Sequence, residues 1–144
     1  MRRTILLEIP PRSDYLALVR RVVACAAEVD HVLADRRIDD LSLAVSEACA
    51  NAIDAERSTG SSETVAVAIE LEAATVAVTV TDHAGGFAPG DVDPLPPADD
   101  PGRLRHERGL GLPLMRSLAD EVTFRATADG TAARLEFHRS PGAI

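Results

Sequence analysis

LSLAVSEACANAIDA, residues Leu41–Ala55, is the stretch on which the reading of the whole chain turns. Leu41, Ala44, Val45, Ala48, Cys49 and Ala52 recur at helical spacing, which predicts an amphipathic helix with one buried stripe. Asp39 or Asp40 suits its N-cap, and nothing helix-breaking follows until Gly60. Glu47, Asn51 and Asp54 stand at i, i+4 and i+7, so they project together from a different face. A carboxylate one turn before an amide is a useful pair of oxygen donors. The carboxylate can act as a base or hold water, and the amide oxygen can ligate a hard cation such as Mg²⁺. The same spacing also describes an ordinary solvated helix face.

Composition narrows what surrounds this helix. The 144 residues suit a single compact domain, 1–144, with a real core. Hydrophobic residues make up 46%, yet no apolar run approaches membrane-spanning length, so the expected class is soluble, globular and free of the membrane. Met1-Arg2-Arg3 followed by a short alternating segment and two prolines is not a signal peptide. Cys25 and Cys49 lack CxxC or zinc spacing and read as two reduced core thiols of a cytoplasmic protein. A net charge of −8 argues against direct binding of nucleic acid. All fifteen basic residues are arginine, which excludes a P-loop and a eukaryotic-type kinase fold, both of which need a lysine.

Along the chain, Thr4–Ile9 alternates as a strand ended by Pro10-Pro11. Ser13 can cap a helix to about Val29, with Leu16, Val19, Val23 and Ala26 inward. Asp35-Arg36-Arg37 reads as a polar link. Val65–Leu71 and Val76–Val80 form a hairpin with its turn near Glu72–Ala74. The second of these strands runs into Asp82-His83-Ala84-Gly85-Gly86-Phe87. A strand-end Asp can accept hydrogen bonds from an amino group, and glycines let backbone approach a flat ligand. Ala88–Arg108 holds five of the nine prolines and reads as a lid or a disordered insertion. Gly109-Leu110-Gly111-Leu112-Pro113 opens the last helix, with Leu114, Met115 and Leu118 inward, and free N–H groups there make an anion site. Val122–Thr127 and Thr131–His138 close the chain as a hairpin around Asp129-Gly130.

Three features in fixed order therefore stand out: Glu47…Asn51 on a helix, a strand-end Asp82-x-x-Gly-Gly, and Gly109-x-Gly111 at a helix start after a long loop. They resemble the N, G1 and G2 boxes of the gyrase/chaperone/histidine-kinase (GHKL, Bergerat-fold) ATPases. The wording VSEACANAI, TDHAGGF and RGLGLPLMRSLADEV is most similar to the bacterial anti-sigma-factor serine kinases, over nearly the whole chain. The resemblance implies an α+β fold, a two-layer α/β sandwich with three helices on one face of a mixed, mostly antiparallel sheet. ATP is then expected between the helices and a lid at 88–108.

By the same resemblance, Asn51 is the Mg²⁺ ligand that bridges to the phosphates, and Glu47 is the catalytic base that polarises an attacking hydroxyl. Asp82 takes the adenine amino group, Gly86 lines the base pocket, Gly109 and Gly111 give N–H groups to the phosphates, and Thr131 reaches the adenine side. Arg108, Arg105 or Arg103 is placed to meet the γ-phosphate. The G1 pattern usually has Gly where this chain has Ala84, and the family often carries a His where it has Ala55. The implied partners are a sigma factor, held by a kinase homodimer through a surface that includes Arg20, and an antagonist protein phosphorylated on serine. Two other classes fit the same motifs: a nucleotide-sensing binding module without phosphotransfer, and a detached histidine-kinase catalytic domain. A stressosome-type switch kinase is a close variant of the main reading.

Overall fold

Alternation of Val, Ile and Leu with small or polar residues produces five strands: β1 Arg3–Ile9, β2 Val65–Leu71, β3 Thr75–Thr81, β4 Glu121–Ala126 and β5 Thr131–His138. The computed structural model describes residues 1–84 and 111–140. The strands form one sheet in the order β1-β2-β3-β5-β4, and every pairing is antiparallel. The expected mixed sheet is thus corrected to a wholly antiparallel one. Two hairpins, β2–β3 and β4–β5, are joined by β3 against β5, and β1 runs antiparallel to β2 at the far edge.

Register fixes which side chains face inward. Leu7, Val67, Val80, Ala133 and Phe124 lie in one row across the sheet, and Ile5, Ile69, Val78, Leu135 and Val122 in another. Because side chains alternate faces, the intervening row of Leu6, Ala68, Thr79, Arg134 and Thr123 lies on the opposite face. The apolar rows meet the helices. These are α1 Leu16–Val29, preceded by a single 3-10 turn at Ser13–Tyr15, then α2 Asp35–Ser58 and α3 Gly111–Leu118. Val19, Val23, Ala26 and Ala27 of α1 are buried, as are Leu41, Ala44, Val45, Ala48, Cys49, Ala52 and Ile53 of α2 and Met115 of α3. Leu112 and Leu118 flank Met115 against this core, in place of the expected Leu114.

Three local readings change. Ser13 caps nothing, since no side-chain bond closes the 3-10 turn that it begins. Cys25 is exposed while Cys49 is buried, so only one of the two free thiols belongs to the core. Asp35-Arg36-Arg37 is no link; it is the first turn of α2, whose N-cap is Ala34. The Ala34 N–H is taken by the Ser140 hydroxyl at 3.0 Å. Arg37 turns inward, donating to Asp40 (3.0 Å), to the Leu118 carbonyl at the end of α3 (2.6 Å) and to Asp120 (3.1 Å). Its guanidinium also lies 4.7 Å from the centre of the Phe137 ring, in cation–π contact.

Candidate functional site

β3 delivers Asp82 to the edge of the core. The residue follows directly on the strand and is buried. Its N–H donates to the Thr131 carbonyl at 3.0 Å, and its Oδ1 accepts the N–H of Thr131 at 3.2 Å and that of Ala84 at 3.1 Å. The Ala84 bond, two residues on, makes an Asx turn that fixes the side-chain rotamer. No group among the described residues donates to Oδ2, which leaves that oxygen to accept from outside the chain. Burial raises the Asp82 carboxyl above its ordinary range; the N–H groups of Ala84 and Thr131 pull it down, and the nearby Glu56 pushes it up.

Gly130 backs this arrangement. A Cβ there would overlap the Asp82 carbonyl and crowd Oδ1, so only glycine lets β5 begin so close to β3. The predicted turn at Asp129-Gly130 is present, closed by Thr127 N–H to the Gly130 carbonyl at 2.9 Å. Asp82 and Thr131 are thereby brought together.

α2 supplies the second group of donors. Glu47 and Asn51, one turn apart, are half-buried, and neither side chain is hydrogen-bonded within the described residues. Beside them Ser46 is buried and accepts from Arg20 at 2.9 Å, so the Arg20 of α1 is tied to the same stretch of α2. A carboxylate and an amide oxygen left without internal partners, on a half-wet helix face, fit a base and a hard-cation ligand respectively.

Further along α2, Glu56 is fully buried and its Oε1 accepts the His83 N–H. Oε2 has no partner. The Glu56 carbonyl meanwhile accepts the Ser61 N–H at 2.9 Å, and the Gly60 N–H reaches Arg57 at 3.2 Å, with Gly60 at φ 73°. These are the two bonds of a Schellman cap, which stops α2 beside the end of β3. Asn51 lies about 7–8 Å back along the helix from Glu56, and Glu47 one turn further, at 1.5 Å rise per residue. Glu56 and the Glu47–Asn51 pair therefore occupy different faces of α2, the first turned into the core and the second half-wet.

Gly111 is the first residue of α3. Gly86, Arg108, Gly109 and the stretch 88–108 expected to form a lid lie outside the described residues. Glu56 and the packing role of Gly130 were missed by motif reading. The available signal for Glu56 was its spacing: Cys49, Ala52 and Glu56 continue the buried stripe at i, i+3 and i+7, and a charge on that stripe is itself unusual. Among the described residues, no helix is long and apolar enough to cross a membrane.

Comparison with known proteins bears on this geometry. The serine-protein kinase RsbW of Bacillus pumilus is 32% identical over 138 residues, covering 91% of this chain and 83% of that protein. RsbW of Bacillus velezensis is 30% identical over 136 residues, and that of Bacillus subtilis 28% over 135, with the same coverage. A crystal structure of the RsbU and RsbW domains of a Mycobacterium tuberculosis protein shares the fold, with a TM-score of 0.66 at 20% identity. It matches 99% of this chain, which spans 35% of that longer one. The histidine kinase-like ATPase domain family matches residues 9–137. The buried strand-end Asp82, the Glu47–Asn51 pair and this extent of similarity lead to one assignment: the chain belongs to the histidine kinase-like ATPase domain family, among its RsbW-type serine-protein kinases.

Proposed function

We propose that the chain is an ATP-dependent protein-serine kinase and anti-sigma factor, which binds a sigma factor and phosphorylates an antagonist protein on serine. The observation that carries the nucleotide part is Asp82: a buried carboxylate with Oδ1 held by two backbone N–H groups and Oδ2 left to accept. An exocyclic amino group such as that of adenine satisfies Oδ2, and Thr131 and Gly86 border the same base. The phosphates then run along α2 toward the start of α3, where Gly109 and Gly111 offer N–H groups and Arg108 a positive charge. The donor set of Asn51 suits Mg²⁺, which when bound neutralises phosphate charge.

Glu47 is the general base. It takes the proton of the acceptor serine as the serine oxygen bonds to the γ-phosphorus and the bond to the departing ADP oxygen breaks. The whole of 1–144 acts as one kinase domain with 88–108 as its lid, working as a cytoplasmic homodimer. The acidic surface implied by a net charge of −8 suits protein partners rather than nucleic acid or membrane.

Glu47→Gln provides the test. With labelled ATP and a candidate antagonist, wild type places phosphate on serine. The variant keeps nucleotide binding and transfers about 10²–10⁴-fold more slowly, the usual contribution of a positioned base. Undiminished transfer removes the base assignment. Nucleotide binding is measured separately, since ligand at about a hundred times its Kd stabilises the fold by roughly 2.7 kcal/mol. An unchanged wild-type melting curve under saturating Mg·ATP removes the nucleotide site itself.

A further inference from the structure

Glu56 has no place in the chemistry just described, yet it is the only charged side chain in the fully buried core among the described residues. Its surroundings do not account for it as a stabilising group. It sits on the inward stripe of α2, one turn after Ala52, where an apolar side chain would close the core. One of its two oxygens, Oε2, is buried without a partner, a condition that costs folding free energy. The other, Oε1, reaches across to a single backbone group, the N–H of His83.

That group is the one next in the chain to Asp82. The turn after β3 is thus gripped at three successive residues: Asp82 by Thr131 of β5, His83 by Glu56 of α2, and Ala84 by the Asp82 side chain. The His83 ring adds a fourth hold, with Nδ1 at 3.0 Å from the Thr64 carbonyl ahead of β2. One of these holds comes from the sheet, one from the residue ahead of β2 and one from within the turn. Glu56 links the turn to the helix that carries Glu47 and Asn51.

We propose that Glu56 is a positioning residue for base recognition: through the His83 N–H it registers the Asp82 turn against α2, setting where Oδ2 stands relative to the Asn51 end of the site. The inference rests on the nucleotide reading given above and adds a determinant of base specificity to it. Freed from Glu56, the turn keeps its bonds to Thr131 and Thr64 but loses this bond to the helix, so phosphate contacts and base contacts lose a common frame.

The probes are ATP and ITP, which differ at the one place Oδ2 addresses, an amino donor in ATP and a carbonyl in ITP. Full-length wild type should prefer ATP. Glu56→Met keeps the volume, removes the acceptor and also removes the orphan oxygen. Its melting temperature should equal or exceed that of wild type, while its ATP-over-ITP preference falls about tenfold or more, the loss expected for one buried hydrogen bond. Glu56→Gln retains an acceptor for His83 N–H and should restore the preference to within about threefold of wild type.

A Glu56→Met protein that keeps its ATP preference overturns the proposal, as does one that fails to fold, which would make Glu56 structural. Equal loss of preference in a folded Glu56→Gln overturns it too. Wild type that binds neither nucleotide defeats the nucleotide reading instead, and so the two failures are told apart.

Discussion

The two ends of α2 each turn one charge inward, and the chain treats them differently. At the start, Arg37 spreads its guanidinium over Asp40, the Leu118 carbonyl, Asp120 and the face of Phe137, with its side chain still 25% exposed. At the finish, Glu56 is sealed from water, makes one side-chain bond and leaves an oxygen idle. The first is a tether: both terminal nitrogens of the guanidinium are met, and the Leu118 carbonyl at the end of α3 gains a partner it lacks within its own helix. The second is costly for folding and sits next to Asp82. A buried charge with satisfied partners is evidence for architecture, and one with unmet partners, beside a site, is evidence for function.

Removing the tether should have the largest effect on stability. Arg37→Ala takes away three hydrogen bonds and a ring contact at once and is expected to lower unfolding free energy by about 2–4 kcal/mol. Denaturant titration measures it. Nucleotide affinity of the folded fraction should hold steady, because Arg37 touches α3 and β5 and not the Asp82 turn. A parallel fall in affinity would mean that the two ends of α2 are not separable.

At the other end, Gly130→Ala should cost about 1–3 kcal/mol through overpacking against Asp82. Unlike Arg37→Ala, it should also abolish the rise in melting temperature that ATP gives. Retained ATP stabilisation in this variant would show that the Asp82 seat tolerates displacement, and the contrast between tether and site would lose its force.

A smaller effect carries a sign. The Asp82 pKa is raised in the folded protein above 3.8, chiefly by burial, so the charged form is disfavoured by folding. Its favourable contribution is present below pH 3.8 and is lost as pH rises through the folded value. Asp82→Asn keeps an Oδ1 acceptor without the charge. It should therefore melt higher than wild type at neutral pH, with the difference shrinking as both are taken toward pH 4, while binding of ATP is lost at every pH. A variant that melts lower at neutral pH would place Asp82 with Arg37, among the groups that hold the fold.

The mildest test concerns thiols. Burial raises the Cys49 thiol to about 12, whereas Cys25 is exposed. A thiol reagent at pH 8 should label Cys25 in the native protein and reach Cys49 only on unfolding. Fast labelling at Cys49 would report opening of α2 near Asn51.

Most of this arrangement was readable from spacing. The stripe Leu41, Ala44, Val45, Ala48, Cys49 and Ala52 is buried as periodicity requires, and both hairpin turns fall where their residues predict. Position along the chain could not reveal partners far away. Arg37 looks like part of a linker until Asp120 and the Leu118 carbonyl, more than eighty residues later, arrive beside it. The resemblance puts Thr131 on the adenine side without linking it to Asp82; the physical tie is the β3–β5 pairing, which no local pattern announces. Glu56, between Ala55 and Arg57, carries no local motif that marks it as buried; only its place on the stripe of Cys49 and Ala52 does. Cys25 lies between buried Val23 and Ala26 in sequence but points elsewhere on the cylinder, so its exposure does not follow from its neighbours.

The place of β5 also bears on how the protein is made. It follows every other strand in the chain, yet lies inside the sheet, between β3 and β4. A ribosome that has released the chain only as far as β3 has β1, β2 and β3 ready to pair, with one edge of β3 open and Asp82 missing its Thr131 clamp. If Asp82 is the acceptor proposed above, nucleotide cannot help such a fragment fold, since that acceptor is not yet held. Ligand rescue of a destabilised variant should therefore act after synthesis and not during it, and the open β3 edge is where a nascent chain needs protection.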